Sequence, residues 1–275
     1  AVDVTTGADG APRFGTPRNL TGRPGYDNQP AFEDSGVAFY FTSIRDGGQA
    51  DLFRFDLRNG RTRRLTRTDT SEYSPTPMPT GGISTVRVEA GGAQRLWHLN
   101  ARGASRGPLL ESDRVGYHAW IDDTRLAVFL VTEPPTLLVA SRLDMPPPDR
   151  AGPAAETVAT GVGRSLARVP GRPWIAFVQR RADAPDWIKV VQLPGLRVVA
   201  WAPMPEGARD FAFAPDGSLY TARDRTLLRR EAGADAEWEA VATFERLPGA
   251  VSRLAISPDG TLLLLVAGDG GGPAR

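Results

Sequence analysis

The stretch RDFAFAPDG (209–217) decides how this chain is read. An Ala-aromatic pair is followed by a turn carrying Asp and Gly, and then by an apolar run. Such turns favour aspartate, whose carboxylate accepts nearby backbone N–H groups, and glycine, which takes positive φ at no steric cost. The same order recurs in NQPAFEDSG (28–36), GYHAWIDD (116–123) and VSRLAISPDG (251–260), and more loosely in YSPTPMPTG (73–81) and RSLARVPG (164–171). Aligned, the small residues form a column of Ala31, Thr76, Ala119, Ala167, Ala212 and Ala255, spaced by 45, 43, 48, 45 and 43 residues. A period of this length is that of a four-stranded propeller blade. The small residues have a steric reason, because innermost propeller strands converge on the axis.

A second register supports the first. Leu20-Thr21 begins ten residues before Pro30, as Leu65-Thr66 begins ten before Pro75. Between them lies one whole unit: FEDSGVAFYFTSIRDGG (32–48), ADLFRFDLRNG (50–60) and RTRRLT (61–66). Gly47-Gly48 and Asn59-Gly60 read as its hairpin turns. After Leu254 only 21 residues remain, enough for two strands and not four. VDVTT (2–6) and RFGTPRNLT (13–21) can supply the missing outer strands, closing the ring without a free edge. The expectation is one all-β domain over residues 1–275, a six-bladed β-propeller with its last blade built from both termini. Its innermost strands fall near 28–32, 73–77, 116–120, 164–168, 209–213 and 252–256.

The unit from Asn19-Leu20-Thr21 to Leu65-Thr66 resembles the repeat of TolB-like propellers. In that family a closing Leu-Thr is paired with a Ser-Pro-Asp-Gly turn, and Ala214-Pro215-Asp216-Gly217 and Ser257-Pro258-Asp259-Gly260 reproduce the turn. Three copies depart from it, with Pro77-Met78-Pro79-Thr80-Gly81, Ile121-Asp122-Asp123-Thr124 and Val169-Pro170-Gly171 in its place. The resemblance implies the fold, and a bacterial periplasmic or secreted module that binds partners through one face or the axial channel. Some relatives form the non-catalytic half of serine peptidases.

Composition narrows the classes. A chain 41% hydrophobic and 24% charged is that of a folded globular protein. A net charge of +1 gives no general attraction to nucleic acid or to an anionic membrane. Nearly all basic residues are arginine, Lys189 being the one lysine, which reads as genomic composition rather than phosphate binding. Absence of cysteine excludes disulfides, thiolate zinc sites and cysteine nucleophiles, and suits an extracytoplasmic protein. No apolar run approaches the ~20 residues of a membrane helix. The opening AVDVTTG reads as a mature terminus after removal of a signal peptide, or as a shortened chain.

Chemistry is less legible. A peptidase would need a Gly-x-Ser-x-Gly elbow, and Gly163-Arg164-Ser165-Leu166-Ala167 lacks the final glycine. His118 falls in the column of Pro30, Pro75, Leu166, Phe211 and Leu254, a packing position between blades; its other reading is a polar group near the channel mouth. His98 reads as a surface residue, and two histidines on different strands give no zinc signature. Asp122, Asp123, Asp216 and Asp259 sit in turns and read as caps. The Trp residues 97, 174, 187, 201 and 238 read as inter-blade packing. RADAPDW (181–187) and DMPPPDRAGPAAE (144–156) are long loops.

The candidate site is the position two before the small column: Gln29, Ser74, Tyr117, Ser165, Asp210 and Arg253, with Tyr73, Arg164 and Arg209 among the residues one step earlier. All open innermost strands, so six blades would present them around one end of the axis. The expected ligand-binding set is Gln29, Tyr73, Tyr117, His118, Arg164, Ser165, Arg209, Asp210 and Arg253. Three arginines with Asp210 would suit a carboxylate or other planar anion, which guanidinium grips with two N–H groups. The expectation is therefore a non-catalytic module binding a protein, a peptide or a small anionic ligand, with no cofactor and no metal. The alternatives are a propeller hydrolase or lyase with an axial active site, or a structural module of a surface assembly.

Overall fold

The computed structural model describes residues 1–45, 48–142, 155–233 and 235–268. Gly47 of the first expected hairpin, and residues 144–154 of the Pro-rich loop, lie outside the described residues. Asn59-Gly60 does form its turn, with Gly60 at φ 69°.

Six four-stranded antiparallel sheets form the ring. Blade 1 is β3 (Asp27–Phe32), β4 (Ala38–Ile44), β5 (Ala50–Asp56) and β6 (Arg61–Arg64), and blade 2 is β7 (Ser71–Pro77), β8 (Ile83–Val88), β9 (Gln94–Leu99) and β10 (Ser105–Pro108). Blade 3 comprises β11 (Val115–Trp120), β12 (Arg125–Leu130), β13 (Thr136–Ser141) and β14 (Ala155–Thr160). Blade 4 comprises β15 (Val162–Arg168), β16 (Trp174–Gln179), β17 (Trp187–Gln192) and β18 (Arg197–Pro203). Blade 5 runs β19 (Phe211–Phe213), β20 (Leu219–Arg223), β21 (Thr226–Arg230) and β22 (Trp238–Thr243).

Blade 6 closes the ring as the arithmetic requires. Its order from the axis outward is β23 (Val251–Ile256), β24 (Leu262–Ala267), β1 (Val2–Thr6) and β2 (Pro12–Phe14). Val2 pairs with Leu263, and Val4 with Phe14. The regular part of the expected outermost strand ends at Phe14; the backbone stays tied to the N-terminus by the Gly15 N–H to Asp3 carbonyl and Arg18 N–H to Ala1 carbonyl bonds, and Leu20 then packs against the interface of blades 1 and 6.

The core is six separate layers, one between each pair of neighbouring blades. This explains the unbroken apolar middle strands. Successive strand residues point to opposite faces, and here both faces are buried. Along β12, Leu126 and Val128 pack towards blade 2, while Ala127 and Phe129 pack towards blade 4. Between blades 1 and 6 the layer is aromatic, with Phe39 stacked on Phe55 at 5.2 Å. Three of the four turn aspartates are caps: Asp122 Oδ1 accepts the N–H of Thr124 and Arg125, Asp216 Oδ1 that of Ser218, and Asp259 Oδ1 that of Thr261.

Candidate functional site

Innermost strands meet their neighbours around the whole axis, from β3 through β7, β11, β15, β19 and β23 back to β3. They enclose a cavity of about 670 Å³, and all six members of the small column line it. Methyl-sized side chains keep this axial space open.

At the entry end the inner strands are irregular. Register breaks between Asn28 and Ala31, Tyr73 and Thr76, Val115 and Tyr117, Val162 and Leu166, and Val251 and Arg253. In blade 5 the strand begins only at Phe211. A bulge of this kind re-aims the side chain it carries. Gln29 and Ser74 sit at φ 57° and 53°, in a region that non-glycine residues seldom occupy.

Of the nine predicted site residues, Gln29, Tyr117, His118, Arg164, Ser165, Asp210 and Arg253 line the cavity. Tyr73 and Arg209 do not. Tyr73 turns its ring into the core layer between blades 2 and 3, where apolar burial outweighs a place at the rim. Arg209 precedes the first residue of β19 and is exposed, so it does not join the other two arginines in a cup.

Four of the seven hydrogen-bond to the adjacent blade, His118 among them through Ser84 of blade 2. Gln29 Oε1 accepts the Ser74 N–H at 2.8 Å. Ser165 donates to Asp210 Oδ1 at 2.5 Å, and Asp210 Oδ2 accepts the Leu254 N–H at 3.1 Å. Asp210 thus ties blades 4, 5 and 6 together with its carboxylate consumed.

The arginines differ. Arg164 reaches from β15 past blade 5 to donate to the Ser252 carbonyl at 3.2 Å. Arg253 lies over the ring of Tyr117, 4.9 Å from its centre, in a cation–π contact. Both are half-buried, and neither has a carboxylate within 4.0 Å among the described residues. Burial, and secondarily the charge of Arg253, holds the Arg164 guanidinium below its ordinary pKa, with Tyr117 and Asp210 pulling the other way. Arg87, which is buried, shows the usual remedy: Glu72 sits 3.2 Å from its Nε. Tyr26 belongs to the same electrostatic neighbourhood. Burial raises its hydroxyl pKa, Arg253 and Arg164 lower it, and Tyr117 and Tyr73 raise it. Repeat alignment missed Tyr26 because it precedes β3 and falls outside the compared columns.

His118 shares both predicted characters, a packed residue on the channel wall. It is 7% exposed, and its Nε2 lies 2.6 Å from Ser84 Oγ, which also receives the Trp120 indole N–H at 2.9 Å. Burial lowers its pKa to about 3, so the ring is neutral near pH 7. Among the described residues, its Nδ1 and the Ser74 hydroxyl are buried with no hydrogen-bond partner.

No known protein-family model matches the sequence. Similarity to solved structures covers most of the chain at low identity. A putative TolB from Agrobacterium tumefaciens is 15% identical, with 96% of this chain and 97% of that one covered at a TM-score of 0.66. TolB from Acinetobacter baumannii is 12% identical, with 87% of this chain covered at a TM-score of 0.60; this chain spans only 57% of it. XC5397 from Xanthomonas campestris, described as a gluconolactonase, is 12% identical, with coverage of 97% and 92% and a TM-score of 0.67. The shared property is the six-bladed fold of TolB-like propellers. A fold of this kind hosts unrelated activities, so function has to be argued from the site.

Proposed function

We propose that this TolB-like propeller is a binding module that takes a carboxylate-bearing ligand, a small molecule or a peptide or protein segment, at the entry end of its axial cavity. A single observation carries the reading. Arg164 and Arg253 are two half-buried cations; burial and then the charge of Arg253 lower the Arg164 pKa, and among the described residues no carboxylate is paired to either. Desolvating like charges side by side costs free energy, and a bound anion offsets that cost through charge-assisted hydrogen bonds. A periplasmic or secreted location belongs to the same reading.

Binding is favoured over catalysis by the state of the other groups. The carboxylates on the cavity wall are Asp34 and Asp210, and Asp210 is committed to Ser165 and Leu254. The one histidine there has its Nε2 engaged by Ser84. Likeness to a gluconolactonase keeps a hydrolase as the competing reading, which a lactone-hydrolysis assay tests directly.

The decisive experiment is calorimetric titration with citrate, benzoate and a hexapeptide compared with its C-terminal amide. A charge-assisted pair is worth about 1.5–3 kcal/mol, so Arg164→Ala and Arg253→Ala are each expected to weaken carboxylate binding roughly tenfold or more. Unchanged affinity in both variants would remove the site.

A further inference from the structure

We infer that this chain associates with further copies of itself, head to tail, through two rim strands of opposite charge: β6 of blade 1 in one copy and β22 of blade 5 in the next. This surface lies outside the axial cavity and is independent of what binds there.

A net charge of +1 conceals a segregation. From Arg58 to Arg67 the chain carries five arginines and no acidic residue, and from Glu231 to Glu245 five acidic residues and no basic one. The first run spans β6 and the second spans β22, each the outermost strand of its blade. Folding leaves most of this charge unpaired. In the basic run Arg58 meets Asp56 and Arg64 meets Asp51. Arg61, Arg63 and Arg67 are exposed, with no carboxylate within 4.0 Å among the described residues. Arg63 reaches the Ala101 carbonyl at 3.4 Å, which sets the exposed Arg102 of blade 2 beside this edge. In the acidic run Glu231 pairs with Arg229, while Asp235, Glu237, Glu239 and Glu245 are exposed and have no cation within 4.0 Å among the described residues.

The two runs cannot meet within one molecule. Blade 6 stands between blades 5 and 1, its inner strand touching both β19 and β3. Each rim strand also keeps one backbone edge free, since β6 pairs only with β5 and β22 only with β21. Charged side chains on such an edge repel a second copy when the edges are alike. Here β6 repels β6 and β22 repels β22, whereas β6 attracts β22. A twofold pairing of like edges is therefore disfavoured, and the favoured contact is heterologous, repeating from copy to copy. Exposed ion pairs are individually weak and screened by salt, so a dissociation constant on the order of 0.1 mM at low ionic strength is expected.

Sedimentation velocity on the full chain tests this. At ~0.1 mM protein the wild type is expected to sediment faster than a monomer in low salt, and as a monomer in ~0.5 M salt. Arg61→Glu/Arg63→Glu makes both edges acidic and Glu237→Arg/Glu239→Arg makes both basic, so each variant alone is expected to stay monomeric. Mixed in equal amounts, the two variants again present a basic β6 to an acidic β22, and association is expected to return. Arg67→Glu/Arg102→Glu, outside the strands, weakens the same edge and replaces the first variant should that fail to fold. A wild type that is monomeric in low salt overturns the interface. So does association that survives ~0.5 M salt or persists in either variant alone. Two folded, monomeric variants whose mixture stays monomeric overturn it as well, since the edges then do not meet each other.

Discussion

Asp210 and Arg253 occupy the same place in successive repeats, yet the fold uses them in opposite ways. Asp210 is buried, and its two carboxylate oxygens are taken by Ser165 and the Leu254 N–H. Arg253 stands on the neighbouring strand with only the face of Tyr117 beneath its charge. One is a fastening; the other keeps a charge that no carboxylate among the described residues pairs. The same column position can thus be consumed by cross-blade bonds in one blade and left without a charge partner in the next.

The sharpest way to break this contrast is to truncate Asp210. Asp210→Ala orphans the buried Leu254 N–H and leaves the Ser165 hydroxyl only its longer contact to the Arg209 carbonyl, so a loss of about 2–3 kcal/mol is expected in urea unfolding. A loss no larger than that of Arg253→Ala would mean that Asp210 fastens nothing. The next effect is a pH dependence from His118. Its folded pKa of about 3 lies below the ordinary 6.5, so below pH 6.5 the unfolded chain takes up a proton that the folded chain refuses. Stability must then fall with falling pH, by about 2 kcal/mol of wild-type stability between pH 7 and pH 5 from this group alone. His118→Gln should flatten that component, and an identical slope in wild type and variant would refute it.

Smaller still is Gln29→Ala, which leaves the N–H of the buried Ser74 unpaired and should cost about 1 kcal/mol. Smallest are Arg164→Gln and Arg253→Gln, each expected within about 0.5 kcal/mol of wild type in the absence of ligand. A large destabilisation by either would make that arginine a second fastening and empty the comparison of meaning.

The repeat was legible because it is written in residues that sterics constrain. Ala31, Thr76, Ala119, Ala167, Ala212 and Ala255 line the cavity as their column implies, and the count of residues after Leu254 implied a last blade shared by both termini, while the order β23-β24-β1-β2 within it came from the structure. Arg209 was misread for a physical reason. The column method assumes that each repeat enters its inner strand at the same residue, but blade 5 starts late, at Phe211, and Arg209 stays in solvent. Tyr73 shows the other failure, since a column position says nothing about which face of a bulged strand a ring will choose. Tyr26 lies before its strand, where no periodicity operates.

Sequence alone determined the number of blades, the closing of the last blade by both termini, and seven of the nine residues expected on the cavity wall, because strand alternation and repeat length are local properties carried by each unit. Only the tertiary structure decided which of those residues bond across blades and which keep unspent charge or an empty hydrogen bond. Those partners lie far apart in the chain, 44 residues for Asp210 and Leu254 and 88 for Arg164 and Ser252, and only ring closure brings them together.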